Sequence, residues 1–196
     1  MKLLSFPPRL GAALLFACAV SSHAASPDPA FVLDLGGQRF DPLVAPPVSA
    51  RAIDAGPNLR LVQFSGPIQP EWLEALSHAG VQPMQYIHPY SYVVWADAQA
   101  LAQVRAARGE VRWAGDFIPE FKLGANARSL GAGPHQAMVL LSRHADQAPL
   151  LAGVRSAGAA LGTVTELNRH FSVVQLELSG DRYKDLAALP GVYAVQ

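Results

Sequence analysis

Tyr86-Ile-His-Pro-Tyr-Ser-Tyr-Val-Val-Trp95 is the stretch on which the fold turns. Two β-rich runs, Val81–Ile87 and Tyr90–Ala96, meet at His88-Pro89-Tyr90, where proline ends the first run and starts a turn. Upstream, Pro70 suits a first helical turn, and Glu71 and Glu74 sit near its positive end. Trp72, Ala75, Leu76 and Ala79 form a stripe at helical spacing, closed by Gly80. Downstream, Asp97 caps a second helix with Leu101 and Val104 inward, Arg105 and Arg108 near its end, and Gly109 after it. Leu59–Phe64 opens the unit. Leu59, Leu61 and Gln63 fall on one face and Arg60, Val62 and Phe64 on the other, which suggests an inner strand with partial cover on both faces. Glu110–Ala114 closes it, so residues 58–122 read strand, helix, strand, strand, helix, strand.

Residues 136–196 repeat that order. Ala137–Leu141 is a strand, and Asp146 precedes a helix carrying Leu150, Leu151, Val154 and Ala157. Gly158 follows it, in a place equivalent to Gly80. Ala160–Leu167 and Phe171–Leu178 form a hairpin around Asn168-Arg169. Tyr183, Leu186 and Leu189 mark a second helix, stopped by Pro190-Gly191, and Val192–Val195 is the last strand. A βαββαβ order predicts an α+β fold of two tandem ferredoxin-like units, each with a four-stranded antiparallel sheet and both helices on one face. The other face is left uncovered, and a unit of about 60 residues is marginal alone. Each unit should therefore lean on the other, on a partner, or on water.

The remaining segments frame these units. Lys2 and Arg9, the apolar run Leu10–Val20 and the small residues Ser22-His23-Ala24 read as a signal peptide over residues 1–24, cleaved between Ala24 and Ala25. Lipidation at Cys18 is the alternative; the run is too short to span a membrane. Residues 25–57, rich in Pro, Ala and Gly, read as a mostly irregular leader with a short strand at Phe31–Leu35. Residues 123–135 read as a flexible linker. The mature chain is expected in the periplasm or outside the cell, free of the membrane. Cys18 is the only cysteine, so a mature chain starting at Ala25 holds no disulfide, thiolate nucleophile or cysteine metal site. Apolar residues make up 51% and charged ones 15%, which suits a packed core rather than disorder. The formal net charge is zero with no basic run, which argues against nucleic acid as a partner.

A search for chemistry returns little. His78, His88, His135, His144 and His170 stand in no metal-ligand spacing and read as solvated or capping residues. No serine lies in a nucleophile elbow, and neither a P-loop nor a dinucleotide fingerprint is present. Gly36-Gly37 and Gly131-Ala-Gly133 are isolated loop glycines. The acylphosphatases share this type of fold, but Pro67 removes a donor from the loop after the first strand, where they cradle phosphate. No cofactor or metal is expected. Tyr86, Tyr90, Tyr92, Trp95 and Trp113 concentrate aromatic surface in one unit, as core cover or as a partner-docking face.

Leu61-Val-Gln-Phe-Ser-Gly-Pro-Ile68, Trp72-Leu73, Gly80, Tyr86–Tyr92, Val111–Gly115 and Pro119-Glu-Phe-Lys122 together resemble the N-terminal pro-region of secreted subtilisin-like serine proteases. The likeness is strongest over residues 60–122, and residues 136–196 look like a second, diverged propeptide module. The resemblance implies a folding chaperone and temporary inhibitor whose sheet packs on a protease domain, in cis in a longer product or in trans. The Asp-Ser-Gly, His-Gly-Thr-His and Gly-Thr-Ser-Met-Ala motifs of the catalytic domain are absent from the sequence, so no catalytic residue is transferred and no enzyme activity is expected. A truncated or split product fits this. A stand-alone exported protein-binding module is the alternative from another class.

Overall fold

The computed structural model describes residues 26–107 and 109–196 and leaves out the side chains of residues 159–161. The expected signal peptide with its Ala24–Ala25 cleavage site, Cys18, and Arg108 lie outside the described residues. Among the described residues the fold is α+β, with several antiparallel sheets and four α-helices. A hairpin of β1 (Leu33–Leu35) and β2 (Gln38–Phe40) comes first. The first unit follows as β3 (Asn58–Phe64), α1 (Pro70–His78), β4 (Gln82–Ile87), β5 (Ser91–Ala96), α2 (Ala98–Ala106) and β6 (Val111–Asp116). The second comprises β7 (Pro134–Ser142), α3 (Gln147–Ala157), β8 (Ala159–Leu161), β9 (Thr165–Glu166), β10 (Phe171–Ser179), α4 (Tyr183–Ala188) and β11 (Val192–Val195). The sheets run β4-β5-β3-β6 and β11-β7-β10-β8, with β9 also paired to β10. Both place the opening strand of the unit between its closing strand and the second arm of its hairpin, with every pair antiparallel.

Local chemistry explains most boundaries. The Asp97 carboxylate accepts from the Ala100 N–H at 2.7 Å, and Asp146 accepts from the Ala148 N–H at 3.1 Å, so each satisfies an orphan donor at a helix start. Gly80, at φ +78°, lets the chain turn back while Val81 N–H reaches the Leu76 carbonyl at 2.9 Å. Gly158 differs from the expectation of equivalence. It is extended at φ −143°, and its lack of a side chain serves space: a Cβ there would lie 3.0 Å from Leu178 Cβ and 3.1 Å from the Glu177 carbonyl. In α1 the inward side is Trp72, Leu73, Leu76 and Ala79, while Ala75 is exposed. The expected Ala160–Leu167 strand is split, because β10 shifts register between Leu176 and Glu177 and Gly162 lies between the two short pieces.

All seven residues of β3 are buried, so this inner strand is covered on both faces more completely than the partial cover its alternation suggests. Val62 and Phe64 meet Leu76, Leu101 and Val104 from the helices, and Phe64 stacks on Trp72 at 5.6 Å. Val139, Leu141, Val174 and Leu176 do the same beneath Leu150, Val154 and Leu186 in the second unit.

The leader and linker are more ordered than their composition suggests. Leu33 is fully buried, packed with Leu59, Leu61 and Val93 on the far face of the first sheet. Asp41, also buried, takes both terminal nitrogens of Arg112 at 2.7 and 2.9 Å. Buried Arg60 reaches the Asp116 carboxylate and donates to the carbonyls of Asp54 at 2.6 Å and Gly56 at 3.1 Å. In the expected linker, Leu123 and Ala127 are buried, and Leu123 pairs in parallel with Val195. Gly124 N–H donates to the Val195 carbonyl at 2.9 Å and Val195 N–H to the Lys122 carbonyl at 2.8 Å. The outer edge of β11 would otherwise carry bare backbone groups, and this segment satisfies them.

Candidate functional site

The five aromatics singled out in the sequence do not share a surface. Tyr92 lies with Val94 on the helix side of β5, whereas Trp95 lies with Val93 on the far side. Tyr90, in the turn after the cis His88–Pro89 bond, packs edge-on to Phe31 at 5.9 Å. Trp95 touches the cores of both units, and Trp113 lies over Gly115 in the far-face cluster. Tyr86 is exposed and meets Tyr92 edge-on at 5.7 Å. Of the five, Tyr86 is the most accessible, so the set supports no common docking face.

The far face of the first sheet, expected to be open, is covered. The leader supplies Leu33, Leu35 and Phe40, and the exit segment supplies Phe117, Ile118 and Phe121. Phe40 stacks on Phe121 at 5.2 Å. From the second unit, Phe171 and Tyr193 complete the cover, with Tyr193 stacked on Phe117 at 5.7 Å and tilted against Phe171 at 4.6 Å. The reason is physical: residues following β6 are apolar at Phe117, Ile118 and Phe121, and the shortest way to bury them is to fold back beneath the sheet.

The second sheet behaves differently along its length. Cross-strand partners share a face, so Ser142 and Phe171, Leu140 and Val173, Met138 and Gln175, and Gln136 and Glu177 form successive rungs of its far side. The Ser142–Phe171 end is buried against the first unit, and the Leu140–Val173 rung is half-buried. Met138, Gln175, Gln136 and Glu177 are exposed, with Met138 at 43%. This end lines a shallow hollow of about 520 Å³ with Gly162 and Gln196.

The structure brings together two histidines that the sequence leaves 26 residues apart. His144 Nε2 lies 2.9 Å from His170 Nδ1. Arg169 Nε donates to His170 Nε2 at 2.8 Å, so that nitrogen accepts, Nδ1 carries the proton, and Nδ1 donates to His144 Nε2. Burial pushes both imidazoles below the usual histidine range, with Arg143 adding to the effect at His144, and Arg169 and His144 at His170. His170, read from the sequence as solvated or capping, is buried; its N–H donates to Asn168 Oδ1 at 2.8 Å and its carbonyl accepts from the Arg143 N–H at 2.8 Å. His78 and His88 are exposed, and the His135 ring lies 3.1 Å from the Gly131 carbonyl. Among the described residues, no three His, Cys, Asp or Glu side chains come together to hold a metal.

Lys122 is the other unexpected group. Its side chain is buried, and desolvation, helped by Arg60 and opposed by Glu120, brings its amine down to about 7.

Residues 34–118 match a family described as a domain of unknown function, DUF8729. The match runs from within β1 to just past β6, so it takes in the leader hairpin with the first unit. No curated protein and no solved structure matches the chain. No helix among the described residues is long and apolar enough to cross a membrane.

Proposed function

We propose that the chain is an exported, non-catalytic pro-region of a subtilisin-like serine protease, built from two ferredoxin-like βαββαβ units. It acts as a folding chaperone and inhibitor of a protease domain. The shared strand order of the two sheets supports the tandem-unit reading. The observation that carries the functional reading is the uncovered end of the second sheet, at Gln136, Met138, Gln175 and Glu177. A sheet face beside an otherwise closed core offers a partner a flat, partly apolar surface. A standard interface takes about 800 Å² from each partner. A module that binds only the folded protease favours that fold by mass action. Docking belongs to this face rather than to Trp95 and Trp113, which the chain itself covers.

The test mixes the purified chain with a subtilisin-like protease and follows peptide hydrolysis and refolding yield. Slowed hydrolysis or a raised yield is expected, lost on replacing Met138→Asp together with Gln175→Lys. An inert wild-type chain at micromolar concentration rejects the protease reading. An active double variant rejects this face. Binding to another folded protein through the same face, without effect on proteases, supports the stand-alone module instead.

A further inference from the structure

A second accessible surface lies in the cleft between the units, away from the open sheet end. Leu73, Glu74 and His78 of α1, Tyr86 and Tyr92 of the sheet, and Arg169 of the β9–β10 turn line a cavity of about 520 Å³. One wall is the outer edge of β4, the terminal strand of its sheet. The Pro83 and Tyr86 carbonyls accept the side-chain amides of their own neighbours, Gln82 at 3.5 Å and Gln85 at 3.2 Å, and among the described residues β4 pairs with β5 alone. An edge strand with spare backbone groups is a template for an added extended chain.

Arg169 supplies selectivity. Its Nε is committed to the buried His170, which His144 holds in the accepting tautomer. Among the described residues, its terminal nitrogens donate to no one and it forms no ion pair. A guanidinium held by its Nε edge presents the two-pronged end that matches a carboxylate. Glu74 in the same cleft opposes a multiply charged anion and favours a single carboxylate on an otherwise neutral chain.

We propose that this cleft binds an extended peptide along the β4 edge, with one acidic side chain of that peptide held by Arg169. The proposal does not rest on the protease reading. The test titrates the full chain with an end-blocked heptapeptide of threonine and valine carrying one central glutamate, and with its glutamine counterpart, followed by amide NMR. The glutamate peptide is expected to shift amides of Gln82–Ile87 and to bind about tenfold tighter than the glutamine peptide. R169K, which keeps the charge but loses the fork, is expected to weaken it about tenfold, and E74Q to tighten it. Equal binding of both peptides, unchanged binding by R169K, shifts mapping elsewhere, or no binding at millimolar peptide would overturn it.

Discussion

Arg112 grips Asp41 from 71 residues away, with both terminal nitrogens on the two carboxylate oxygens, and stands 4.1 Å above the Phe31 ring. The same guanidinium donates to Gln63 Oε1 at 2.8 Å, while Gln63 Nε2 donates to the Phe31 carbonyl at 2.9 Å. The leader is thereby part of the first unit's fold. Removing one partner of a buried pair leaves the other charge uncompensated. D41A is expected to cost about 3–5 kcal/mol in urea unfolding. The D41A/R112M double variant should recover part of that loss. A cost of D41A below about 1 kcal/mol, the range of an exposed pair, would show that the leader is merely laid on the surface.

Lys122 predicts an alkaline gain in stability. Its folded pKa, about 7, lies below the usual lysine value of 10.5, so the unfolded chain binds more protons between those limits. Stability from this group rises with pH across that window and is lost again as pH falls back toward 7. K122M should abolish the rise and stabilise the protein at neutral pH by about 1–3 kcal/mol. Unfolding midpoints at several pH values between neutrality and 10 decide it; a slope unchanged in K122M would assign the titration elsewhere.

The histidine pair predicts an acid loss. Both rings are depressed in the folded state, so protons bind preferentially to the unfolded chain below about 6.5. Stability is complete above that value and declines as pH falls through the folded values. Arg169 faces His170 Nε2, His144 faces its Nδ1, and Arg143, paired with Glu166 at 2.8 Å, stands beside His144. A proton on either ring therefore meets a donor rather than an acceptor. H144Q should flatten the decline between pH 7 and 5, read by urea unfolding; an identical slope would refute the linkage.

Gly36 and Gly37 should respond unequally to alanine. Both have positive φ, +57° and +67°. A Cβ on Gly36 would also run into the Glu120 carbonyl and lie 2.8 Å from Phe121 Cα, whereas one on Gly37 meets the movable end of the Arg128 side chain. G36A is expected to cost about 1–3 kcal/mol and G37A less, by thermal or urea unfolding. Equal costs would mean that backbone conformation alone decides.

The sequence discloses what is periodic or local. β3 shows its two faces through Leu59, Leu61 and Val62, Phe64; Asp97 and Asp146 announce their helices; Val192–Val195 stands out between Gly191 and the residue after it. What stays hidden is pairing at a distance. Nothing near Asp41 points to Arg112, and nothing near His144 points to His170, because neither pair leaves a repeat in the local pattern. The leader misleads for a related reason. Its prolines point to an irregular chain beyond a short strand, yet β1 and β2 pair there, and Leu33, Leu35 and Asp41 are buried against the rest of the first unit. The aromatics err in the opposite direction. Tyr92 and Trp95 are close in sequence, but strand alternation sends them to opposite faces.

The pairing of Leu123 with Val195 joins the connecting segment to a strand far downstream in the chain. The first unit holds all four strands of its sheet once β6 is made, but Phe117, which meets Phe121 nearby, gains its stacked partner Tyr193 only with β11. The same late strand closes the second sheet and meets the connecting segment. Contacts between residues so far apart in the chain are slow to form. A polypeptide emerging residue by residue thus leaves part of the apolar flank of its first sheet uncovered until β11 is delivered, and that interval is when it is open to aggregation.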